Sequence, residues 1–81
     1  MTIAFPAGEH SVLRRKCVAF PAEIDGKRIT CRISFSALME LPDAERRHHL
    51  TTFRVHRATI ECRAAALIQQ GGHTNADVLI E

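Results

Sequence analysis

Apolar and polar positions alternate most sharply between residues 17 and 33. Val18, Phe20, Ala22 and Ile24 alternate with Ala19, Pro21 and Glu23, and Ile29, Cys31 and Ile33 alternate with Arg28, Thr30 and Arg32. A period of two marks strands with one buried face. Between the two runs stands Asp25-Gly26, a dipeptide suited to a two-residue hairpin turn because both positions tolerate positive φ. A turn there makes Val18 face Ile33, Phe20 face Cys31 and Ala22 face Ile29, while Glu23 meets Arg28 on the opposite face as an ion pair. The same register sets Cys31 inward, as a small buried hydrophobe, and Cys17 outward. On opposite faces, the two thiols cannot form a disulfide without backbone movement.

Residues 2–5 predict a short strand closed by Pro6-Ala7-Gly8, and residues 9–16 a surface connection that ends in Arg14-Arg15-Lys16. Ser34 is placed to cap a short helix whose apolar residues are Phe35, Leu38, Met39 and Leu41, broken at Pro42-Asp43. A long helix is expected from about Asp43 to Gln70, with Asp43 and Glu45 favourable in its first turn and Gly71-Gly72 as its stop. Asp77 to Ile80 reads as a closing strand. At 100° per residue the long helix carries one apolar stripe, Leu50, Phe53, Ile60, Ala64, Leu67 and Ile68, to lie on the apolar face of the hairpin. Val55, Ala58, Cys62, Ala65 and Ala66 form a second face of mostly small residues. That face is either exposed, covered by the short helix, or a self-association surface with Cys62 at a homodimer interface.

These elements give an α+β expectation of two layers in one domain, residues 1–81. A small, mostly antiparallel sheet holds the N-terminal strand, the hairpin at about 17–33 and a C-terminal strand at about 77–80. The short and the long helix cover one of its faces.

Composition narrows the function more than the fold. The chain has 81 residues, eleven Lys and Arg against nine Asp and Glu, three Cys, four Phe and neither Trp nor Tyr. No run approaches the about 20 apolar residues needed to cross a bilayer. The N-terminus lacks a basic start followed by a long apolar run, so no secretory signal is read there. An odd number of cysteines without C-x-x-C spacing fits reduced thiols in the cytoplasm. A mild positive charge and few aromatic residues are poor equipment for stacking bases.

Candidate chemistry is sparse. No histidine has a second one four residues on, the spacing that zinc wants on a helix, so neither a metal nor a cofactor is expected. Cys17 follows three cations, which favour thiolate, yet no base is placed beside it. Arg57 is the most informative residue, because it lies within the apolar stripe between Phe53 and Ile60. It either snorkels and pairs with Glu61, or stands as a fixed cation at the rim of a cleft that His56 also lines. Snorkelling predicts that Arg57→Leu leaves stability unchanged or raised, whereas a large drop would mean that Arg57 closes a buried polar network. Arg14, Arg15, Lys16, Lys27, Arg28 and Arg32 define a basic patch on the hairpin side that would hold phosphates by charge alone.

The stretch Val18-x-Phe20-Pro21-Ala22-x-x-Asp25-Gly26-x-x-Ile29-x-Cys31-x-Ile33-Ser34, followed by Ala37-Leu38, resembles the small bacterial domain-of-unknown-function family 1488 (DUF1488). So do Phe53-x-x-His56-Arg57-x-x-Ile60-Glu61 and the early Ile3-x-Phe5-Pro6. The resemblance spans nearly the whole chain and implies an α/β fold of this size and a proteobacterial setting. It supplies no catalytic residues, and the run 14–16 and Cys62 lie outside its pattern. The reading that results is a non-enzymatic accessory or protein-interaction domain of the cytoplasm, with His56, Arg57, Arg28 and Arg32 as candidate binding residues. The chain is expected to be a monomer, or a homodimer through the Val55/Cys62 face. The alternative is a weak, charge-driven nucleic-acid binder using the hairpin cations.

Overall fold

The structure, a computed structural model, describes residues 1–42, 44, 48–71 and 77–80, with Asp77 described by its backbone alone. The strands β1 (Ile3–Ala4), β2 (His10–Val12), β3 (Cys17–Ile24), β4 (Lys27–Ser34) and β5 (Asp77–Ile80) form one sheet. The helices α1 (Phe35–Met39), α2 (His49–Val55) and α3 (Arg57–Gln69) stand between β4 and β5 in the chain. A 3₁₀ turn at Leu13–Arg15 links β2 to β3. The described parts agree with the α+β expectation: a mostly antiparallel open sheet with helices packed against it.

The hairpin adopts the register that alternation dictates. Val18 pairs with Ile33, Phe20 with Cys31, Ala22 with Ile29 and Glu23 with Arg28. Asp25 and Gly26 both take positive φ, 51° and 85°, as a two-residue turn matched to strand twist requires. The turn is also clasped by the N-terminal strand. The Thr2 N–H donates to Asp25 Oδ1 and the Asp25 N–H to the Thr2 carbonyl, both at 2.8 Å. β1 and β2 pair with successive parts of β3 along its other edge. β5 runs parallel to β4, as a strand returning over a helical crossover can.

One sheet face and the helices enclose the core. Val18, Phe20, Ala22, Ile29, Cys31, Ile33, Val78 and Ile80 meet Phe53, Ile60, Ala64 and Ile68 there. The Phe20 and Phe53 rings sit 5.0 Å apart, tilted by 49°, a favourable aromatic geometry. Ser34 caps α1, accepting from the Ala37 N–H at 3.0 Å. Gly71 takes φ +77° after the C-cap Gln70 and stops α3.

Three expectations change. Cys17 is buried, not outward-exposed, because it lies in a central strand between Val12 of β2 and Ser34 of β4. The connection over 9–16 contains the strand β2, too short for its sequence to display a period. The long helix is divided and begins later. His48 is extended, its ring accepting from the Leu50 N–H, and His56 departs from helical geometry with φ −105° and ψ 20°. Hydrogen bonds still pass through the kink, from the His56 N–H to the Thr52 carbonyl and from the Ile60 N–H to the His56 carbonyl. The second helical face, Val55, Ala58, Cys62, Ala65 and Ala66, is exposed or half-exposed. Asp43, Glu45, Gly72 and His73 lie outside the described residues.

Candidate functional site

Arg57 does not stand alone. Its Nε donates to Glu61 at 2.7 Å, its Nη1 to Glu9 at 2.7 Å and its Nη2 to the Pro6 carbonyl at 3.2 Å. The guanidinium also lies 5.8 Å from the centre of the Phe53 ring. Arg54 Nε reaches the other oxygen of Glu9 at 2.9 Å. The hydrogen bond from Arg54, aided by the backbone of Glu9 and by Arg57 and opposed by burial, holds the Glu9 carboxyl down to about 2. The hydrogen bond to Glu61 raises Arg57, against burial and with help from Glu9. This is a clamp: two helical arginines fasten the segment between β1 and β2 onto α2 and α3.

His56 points elsewhere. Its Nε2 lies 3.2 Å from the Pro42 carbonyl, so it ties the chain after α1 to the kink between α2 and α3. Arg57 and His56 therefore do not share a rim. Arg28 and Arg32 project from the face of the sheet opposite the core, with Thr30 between them on β4. Arg28 lies 3.6 Å from Glu23 with its side chain 65% exposed, an ion pair worth little to stability. It also borders a shallow hollow of about 220 Å³ with His10, Pro21 and Thr30. The four candidate residues are thus spread over three places. Among the described residues, no group of three or more His, Cys, Asp or Glu is arranged to hold a metal.

Two concavities have better-defined chemistry. The larger, about 380 Å³, lies between α3 and the edge strand β5. Arg63, Ala66, Leu67 and Gln70 of α3 and Leu79 and Ile80 of β5 line it, together with Glu40. The second, about 210 Å³, lies between α1 and α2 and is lined by Phe35, Leu38, Ala44, His48, His49 and Thr52, among others. Its His49 imidazole stacks on Phe35 with centroids 4.3 Å apart and hydrogen-bonds Ser11 of β2 through Nε2. Burial, with the neighbouring His48, holds the His49 imidazole below its ordinary value. Neither concavity is lined by Arg57 or His56. Neither is legible in the sequence, because each joins residues of separate elements that no local period links. The unexplained small-residue face, with Ala66, was the one pointer to the larger.

The family model described as "Protein of unknown function (DUF1488)" matches residues 3–80. The chain belongs to the DUF1488 family. Its relatives include the uncharacterized protein YrdB of Escherichia coli K12 and its namesake in Shigella flexneri. Each is 38% identical over 73 residues, covering 84% of this chain and 81% of the relative. A 1.60 Å crystal structure of a DUF1488 protein of unknown function from Shewanella loihica PV-4 superposes with a TM-score of 0.82 at 24% identity. It covers 98% of this chain and 91% of that one. Membership in the family accounts for the fold. Among the described residues, no helix is long and apolar enough to cross a membrane.

Proposed function

We propose that this DUF1488 protein is a non-enzymatic interaction domain that takes up an extended segment of a partner protein along β5. The free edge of β5 carries the reading. β5 ends the strand order, and no described strand pairs with its outer side. A strand edge offers backbone donors and acceptors at the spacing of another strand, so the occupant it recognises best is a strand. Val78, Leu79 and Ile80 include neither proline nor lysine, the residues that commonly protect an edge. The groove beside the edge supplies apolar contact through Ala66, Leu67 and Ile80 and charge through Arg63 and Glu40. Those two side chains make no ion pair among the described residues. They favour a segment with alternate apolar residues, an acid opposite Arg63 and a base opposite Glu40.

An amide-shift titration tests this reading. The probe is an extended peptide of about six residues, alternating valine and threonine, with glutamate at one end and lysine at the other. Shifts concentrated at Val78 to Ile80 and Arg63 to Gln70, weakened about tenfold by Arg63→Glu, are the expected result. No shift at β5 would overturn the proposal. So would a duplex DNA or RNA that instead shifts Arg28 and Arg32 and releases them as salt rises.

A further inference from the structure

The cations that the sequence offers as one basic patch are separated by the fold. Lys27 and Arg28 stand at the turn end of the hairpin, opposite Ile24 and Glu23. The run Arg14-Arg15-Lys16 enters β3 at its other end, where Cys17 pairs with Ser34. Seven steps of extended strand, about 23 Å, lie between the two groups. Leu13, Arg14, Arg15 and Lys16 are all exposed, Leu13 by 70%. Among the described residues none of these three cations forms an ion pair, in contrast to Arg28, Arg54 and Arg57. The turn is nevertheless held in place. The Lys16 N–H donates to the Leu13 carbonyl at 3.1 Å, and the Phe35 N–H to the Lys16 carbonyl at 2.8 Å. Lys16 has φ 52° and ψ 50°, a left-handed conformation that is unfavourable for an L side chain and that glycine adopts readily. A lysine thus stands where the backbone alone would favour glycine.

We infer that this turn docks on the surface of an anionic lipid bilayer. Leu13 enters the boundary between headgroups and acyl chains, and Arg14, Arg15 and Lys16 meet the lipid phosphates. Such a surface offers both negative charge for the three cations and an apolar layer for the leucine. A nucleic-acid backbone would supply only the charge, and the turn has no aromatic side chain on which a base could stack. Each cation near an anionic bilayer strengthens binding about fivefold, and the leucine does so about tenfold. One apolar side chain and three charges give reversible attachment, not permanent anchoring. The site does not involve β5, and its test needs no peptide.

The test is co-sedimentation of the full chain, at low salt, with vesicles of phosphatidylglycerol and phosphatidylcholine in equal parts or of phosphatidylcholine alone. Wild type should bind the mixed vesicles about a hundredfold more tightly than the neutral ones. Leu13→Ser, which leaves the charge unchanged, should weaken binding to mixed vesicles about tenfold. Lys16→Gly should weaken it about fivefold, and Arg14→Gln combined with Arg15→Gln about 25-fold. Mixed vesicles that bind no better than neutral ones would overturn the proposal. So would a folded Leu13→Ser that binds mixed vesicles as wild type does, since charge alone would then account for the attachment. Duplex DNA that binds wild type more tightly than mixed vesicles at equal phosphate would assign the turn to nucleic acid instead. Should a variant fail to fold, the comparison of the two vesicles with wild type decides.

Discussion

Arg57 occupies an apolar helical stripe because three acceptors meet it there. Glu61 is its neighbour at i+4, Glu9 comes from 48 positions away, and the Pro6 carbonyl completes the set. With 28% of its side chain exposed and that of Glu9 only 12%, the cluster is shielded enough for its geometry to matter. Arg57→Leu therefore destabilises the fold by about 2 kcal/mol, since Glu9 and Glu61 lose a charged partner. Thermal unfolding should show a fall of roughly 10 °C; an unchanged midpoint would mean simple snorkelling. Glu9 adds a pH dependence with a definite sign. Its carboxyl lies at about 2 in the fold against 4.5 ordinarily, so its stabilisation is present above pH 4.5 and is lost as pH falls toward 2. Denaturant titrations from pH 5 to pH 2 should find that loss reduced in Glu9→Gln. The Glu61 contact was legible from helical spacing. The Glu9 contact was not, because no local period links a residue ahead of β2 to one in α3. The burial of Cys17 escaped for a related reason: its cover comes from a neighbouring strand whose pairing the sequence does not reveal. The expected consequence is that Cys62 alone reacts rapidly with a thiol reagent. Cys17 and Cys31 should react only as the fold opens.

At the scale of elements, the hairpin states itself in the sequence and the helices do so only partly. Alternation over two eight-residue strands and the Asp25-Gly26 turn act on the same register, so each confirms the other. Gly26 has φ +85°, and an added Cβ would meet nothing within 4 Å. Gly26→Ala should thus cost about 1 kcal/mol from backbone conformation alone, seen as a lower denaturant midpoint with an unchanged slope. Helical periodicity located the buried stripe of α2 and α3 because the stripe runs through the kink. It could not locate the kink itself. Nor could it locate the late start of α2, where His48 leaves helical geometry and its ring accepts from the Leu50 N–H. At the kink the His56 ring lies against the Pro42 carbonyl, and both are matters of side-chain direction rather than of hydrophobic pattern.

For the whole molecule, the sheet is unequally finished at its two sides. One side is broken between β1 and β2, of two and three residues, lengths that offer little to a strange strand. The other ends in β5, with Leu79 45% exposed beside the Arg63 groove. The sequence displayed β5 as an apolar segment but not its parallel pairing or its edge position, which follow from the crossover of three helices. This asymmetry is why the proposed interaction surface lies at β5 rather than at the hairpin cations, which are dispersed over a face that includes Glu23. The most direct test is amide hydrogen exchange at Val78, Leu79 and Ile80 with and without the alternating valine–threonine peptide. Strand addition predicts at least about tenfold slower exchange in β5, with the outer-face residues Arg28 and Arg32 unchanged. Unchanged exchange in β5 at saturating peptide would contradict it.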